Sequence, residues 1–117
     1  PRPNIISMRY LFAVMAQVKG TVLAGPDEMA NINRFNDMLR DTGRLVLAAG
    51  VAEPDMSVVF DNRGGLGEVR QSSAVAGDLF MAGFWVIDEE NRDTAHKLGA
   101  EASLVCNRIV EVRPFLV

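Results

Sequence analysis

A chain of 117 residues, 49% hydrophobic and 23% charged, has the size and composition of one globular domain with one core. Its net charge of −3 and pI near 5.1 argue against nucleic acid or an anionic membrane surface as partner, since both select clustered Lys and Arg. The lone cysteine forms no internal disulfide, which points to a reducing cytoplasm, and one His beside one Cys argues against a metal cage. No stretch approaches the roughly 20 apolar residues of a membrane span.

Residues 1–7 (PRPNIIS) read as an arm without the apolar core of a secretory signal, and the domain proper spans 8–117. Residues 9–16 (RYLFAVMA) are apolar on both alternating faces, as in a strand buried on both sides. After a loop over 19–26, Pro26, Asp27 and Glu28 mark a helix start. The helix is expected over 27–42, with Met29, Ile32, Phe35, Met38 and Leu39 in one stripe, and Gly43 ends it. Residues 44–49 form a second strand, and 50–55 turn through Pro54. Residues 56–60 (MSVVF) read as a third strand, joined through DNRGGLG to a short polar partner over 68–71. A strand over 79–87 contains Gly83. Asp88 is positioned to cap a helix over 89–105, with Ala95, Leu98, Ala102 and Val105 inward. Residues 108–113 alternate as a last strand, with Val110 and Val112 facing the core.

This order predicts an α+β domain on the ferredoxin-like split βαβ plan, with a hairpin inserted. The helices cover one face of the sheet. Residues 9–16 and FWVI are apolar on the other face too, and in so short a chain the simplest cover is a second copy. A homodimer packed sheet to sheet is expected.

MRYLFAV, then PDEMANINRFNDMLRDTGRLV, AGFWVID and VEVRPF, in this order and spacing, resemble the YCII-related superfamily, closest to its DGPF-type branch. The resemblance covers residues 8–117. It implies a ferredoxin-like fold, a dimeric α+β barrel and, by analogy with a few relatives, small-molecule lyase chemistry on aromatic compounds. The Asp-Gly-Pro-Phe signature of the branch is replaced here by Gln71, Ser72, Ser73 and Ala74, with Ala76 where an acid usually follows. The His–Asp pair of other branches has no counterpart, since the one histidine, His96, falls on the second helix.

Two residues are candidates for acid–base work. Asp78 is the carboxylate of the altered segment. In an apolar pocket a carboxylate there serves as general acid or base; otherwise it is a solvated turn residue after Gly77. His96 is the side-chain type that titrates nearest neutrality, set against a helix-surface role beside Asp93 and Lys97. Arg34 and Arg70 are candidate donors to a substrate carboxylate or phenolate, against ordinary solvated ion pairing. Glu53, before Pro54, is a candidate pocket carboxylate. Tyr10, Phe12 and Trp85, with the methionines, supply apolar contact to core or ligand, and a buried Trp85 N–H requires an acceptor. Cys106, among Leu104, Val105 and Ile109, reads as a small buried hydrophobe. The Gly64-Gly65-Leu66-Gly67 run lacks the strand, helix and Lys-Ser/Thr context of a phosphate loop, and no cofactor is expected. Pro1, as a free N-terminus, would offer a secondary amine as base or nucleophile.

Two functions follow. The first is a cofactor-free lyase, isomerase or cyclase acting on an apolar or aromatic metabolite. The second is a non-catalytic dimeric binding or accessory protein. A cavity containing Asp78 favours the first; a solvent-facing Asp78 over a filled core favours the second.

Overall fold

The computed structural model describes residues 8–17 and 25–116. The chain runs β1 (Met8–Gln17), α1 (Pro26–Asp41), β2 (Leu45–Gly50), β3 (Val59–Asp61), β4 (Glu68–Arg70), β5 (Leu79–Glu89), α2 (Arg92–Cys106) and β6 (Ile109–Pro114). Four strands form one sheet in the order β2-β5-β1-β6, every neighbouring pair antiparallel. β3 and β4 pair separately as the inserted hairpin, Val59 opposite Arg70. The fold is therefore α+β, in the ferredoxin-like arrangement. The proposed arm, residues 1–7, lies outside the described residues. Among the described residues no helix is long and apolar enough to cross a membrane.

The core sits between the sheet and the two helices. Tyr10, Phe12 and Val14 of β1 project to the helix side, opposite Ile87, Trp85 and Gly83 of β5. Phe35 and Leu39 of α1 and Ala95, Leu98 and Ala102 of α2 close over them. Burying such side chains contributes about 1.5–3 kcal/mol each for the larger ones. The opposite face is also apolar. Leu11, Ala13, Phe84 and Val86 alternate onto it, joined by Leu47 of β2, 50% exposed, and Ile109 of β6, 55% exposed. Its Met15–Met81 end is bordered by residues 54–57 and 73–75, while Leu47 and Ile109 stay open to solvent.

Three local expectations need correction. Residues 54–56 form a 3-10 turn, and the third strand starts only at Val59; Pro54 fixes the turn and removes a donor that a strand would use. Asp88 does not cap α2. It stays in β5, opposite Arg9, and accepts from Arg9 Nε at 2.7 Å and Nη2 at 3.0 Å. The cap is Asn91, whose Oδ1 accepts from the Thr94 N–H at 3.0 Å, so the helix starts at Arg92. Glu89 also belongs to β5. Its carboxylate accepts from the Asn91 N–H at 2.9 Å and from Arg44 Nε at 2.6 Å.

Both interior glycines mark close approaches. A Cβ on Gly83 would lie 2.8 Å from the Ala49 carbonyl oxygen and 3.3 Å from Gly50 Cα. A Cβ on Gly99 would lie 2.5 Å from Val112 Cγ2, so the residue that weakens α2 also lets it seat on β6. Because backbone blocks the first site, Gly83→Ala is expected to cost about 1–3 kcal/mol. Urea unfolding measures this, and an unchanged midpoint would contradict the β2–β5 approach.

Burial resists ionisation of Glu89, yet the Asn91 N–H and the Arg44 guanidinium together hold its carboxyl below the usual 4.5. A depressed folded value means stability that is present above the unfolded value and lost as pH falls through the folded one. Wild-type protein is expected to lose stability as pH drops below about 4.5, and Glu89→Gln to lose less over the same range. Urea midpoints at neutral and acid pH compare the two; equal losses would remove Glu89 from the account.

Candidate functional site

The Gly50–Gly83 end of the β2–β5 pair lies below the first turns of α1. The helix side of that end holds a cavity of about 460 Å³. Ala48, Ala49 and Gly50 of β2 and Ala82, Gly83 and Trp85 of β5 form one wall. The small residues matter here: Gly50 stands opposite Gly83 in the register, so neither strand fills the space above that rung. Met29, Ile32, Asn33 and Asn36 of α1 form the other wall, and Cys106 with Arg108 lines it from the end of α2.

A second cavity, about 490 Å³, lies beside the first. Met15 and Met81, paired across β1 and β5, line it with the 3-10 segment and with Ser73, Ala74 and Val75. Two residues of the altered signature, Ser73 and Ala74, thus form part of a cavity wall. Val51, Glu53 and Phe80 line both cavities. Among the described residues Glu53 is the only carboxylate on either lining, and it stands where the two spaces meet. Among the described residues no cation pairs with it.

Trp85 is 4% exposed and packs edge-on against Phe35, ring centres 5.4 Å apart. Its N–H donates to Asn36 Oδ1 at 2.6 Å, the acceptor that burial demanded. Arg108 donates to the Cys106 carbonyl at 2.9 Å and lies 3.8 Å from the Glu28 carboxylate. Its positive charge is therefore shared with an acid at the start of α1.

Of the candidates read from sequence, Glu53 and Trp85 come together on one cavity. Asp78 is exposed ahead of β5 and lines neither cavity. His96 is exposed on α2, away from both. Arg34 is exposed and bonds to the side chain of Asn31. Arg70 is exposed on β4 and donates to Ser72 Oγ at 3.3 Å. Tyr10 and Phe12 are fully buried in the core, apart from either cavity. Pro1 lies outside the described residues. Asn33, Asn36 and Arg108 are cavity residues that sequence reasoning passed over. A signal existed for the first two: they fall four and seven residues after Met29, on its own helical stripe.

No protein-family model matches the chain, and no curated protein matches it. Among the described residues no three of His, Cys, Asp and Glu gather closely enough to hold a metal ion.

The Cys106 thiol is buried, and that burial pushes its titration up, which keeps it in the unreactive protonated form. Native protein at pH 8 is expected to react with a disulfide reagent about a hundredfold more slowly than urea-unfolded protein. Equal rates would mean that the Cys106 wall of the cavity opens freely.

Proposed function

We propose that this protein is a cofactor-independent enzyme, a lyase, isomerase or cyclase, that moves a proton on an apolar or aromatic metabolite held in the cavity under α1. The observation that carries this reading is Glu53, the one carboxylate bordering two cavities otherwise lined mainly by apolar side chains. Glu53 is exposed on the rim that the two cavities share, where its carboxylate can reach the proton of a substrate lodged in either. Each cavity has the size of an ordinary small-molecule site. Glu53 takes the role first given to Asp78, because a general base must reach the proton it abstracts. The step is a simple transfer: a Glu53 oxygen takes a proton from substrate carbon, the C–H electron pair stays on the substrate, and the proton is later returned elsewhere.

The proposed assembly is a homodimer packed through the open apolar face. The exposure of Leu47 and Ile109 on that face supports it, since a monomer would leave them in water. The proposed family is the DGPF-type branch of the YCII-related superfamily, supported by the strand order and by the altered segment lying at a cavity. A lone buried thiol fits the cytoplasm as compartment.

A second reading, a non-catalytic dimeric binding protein, is favoured by Asp78 and His96 both standing clear of the cavities. Deuterium incorporation into a panel of aromatic carbon acids in D2O separates the two. Turnover in wild-type protein, lowered about a hundredfold or more by Glu53→Gln and by only a few-fold in Asp78→Asn, supports the enzyme. Binding without exchange supports the second reading. Sedimentation is expected to give a dimer at micromolar concentration, and a monodisperse monomer would overturn the proposed interface.

A further inference from the structure

Asn36 carries more information than its place on the cavity wall. An indole nitrogen only donates, so the atom it faces must be the carboxamide oxygen of Asn36. Trp85 therefore settles which way the amide is turned. The oxygen points to the indole, and the NH2 group is left to donate elsewhere. Asn36 is half-buried on the cavity lining, and among the described residues its NH2 makes no hydrogen bond, so that group is open to a ligand entering the cavity. Trp85 itself is held by Phe35 and by the sheet, which keeps the amide from flipping.

We infer that Asn36, oriented by Trp85, is the hydrogen-bond donor that recognises a neutral carbonyl oxygen on the ligand of this cavity. The inference rests on the small-molecule reading above and narrows it. The charges lining the cavity favour a neutral acceptor over an anion. Glu53 brings a negative charge, and the positive charge of Arg108 is shared with Glu28. An ammonium group offers Asn36 nothing to accept its proton. A carbonyl bound to an NH2 that is already fixed in orientation is also polarised there, which is what removal of a neighbouring proton requires.

The test uses 4-phenyl-2-butanone and its isostere with C=CH2 in place of C=O. Trp85 is the only tryptophan, so its emission reports binding directly. Asn36→Asp keeps the size and the acceptor for the indole but removes the donor. The ketone is expected to shift the Asn36 side-chain NH2 resonances of the wild-type protein. Asn36→Asp is expected to weaken the ketone about tenfold or more and the isostere less than twofold. Ketone binding that leaves the Asn36 NH2 unmoved, or an equal loss for both probes in Asn36→Asp, overturns the donor assignment while leaving the cavity as a small-molecule site. Failure of both probes to bind wild-type protein overturns the assignment and the small-molecule reading together.

Discussion

The hydrogen bond from Trp85 to Asn36 ties the one polar atom of a large core side chain to the helix above it. Left without an acceptor, a buried indole N–H costs about 1–3 kcal/mol, so the helix is pinned at that position over the sheet. The pin falls at the Ala48–Trp85 rung, just inside the Gly50–Gly83 rung where neither strand carries a side chain. Along β5, large core side chains thus end at Trp85, and the space beyond it, roofed by Met29 and Ile32, is the cavity. The same bond anchors α1, sets the inner limit of the cavity and turns the Asn36 amide.

A cavity built this way separates shape from chemistry. Shape comes from the glycines, from Ala49 and Ala82, and from the small residues at 73–75. Polar function falls to a few groups: Glu53 at the meeting point of the two spaces, the asparagines on α1, Ser57 and Ser73 on the second cavity, and Arg108 held near Glu28. Phe80 stands between the two cavities as their common wall, so a ligand filling both would have to pass it. An apolar body with one polar handle matches this distribution, because most of the lining offers nothing to a charged or strongly hydrated group.

Much of the fold was legible locally. Two-sided apolar alternation marked β1 and β5, and a helical stripe marked α1, because these patterns arise from backbone period alone. Long-range pairing was not legible. Asp88 is a good cap by sequence, yet Arg9 lies directly across the sheet from it, and that register kept residue 88 in the strand and moved the cap to Asn91. The site divided in the same way. Glu53 and Trp85 stood out as a carboxylate beside a proline and as a tryptophan needing an acceptor. Asn36 did not: its place seven residues after Met29 on the inner stripe hinted at the cavity, but its role shows only with its partner, 49 positions away. Asp78 was attractive for its apolar neighbours in sequence, but it lies ahead of the point where β5 enters the sheet and remains exposed.

The cavity and its fixed donor depend on Trp85 holding Asn36 in the resting protein, and the exchange of one proton reports that most directly. With a single tryptophan in the chain, the indole N–H gives one resonance. A hydrogen-bonded indole in a packed core is expected to exchange with D2O about a hundredfold or more slowly than a free indole, and to slow only while the fold is intact. Exchange at the rate of free indole in fully folded protein would mean that Asn36 does not hold Trp85, and the cavity, its fixed donor and the ligand class drawn from them would lose their common support.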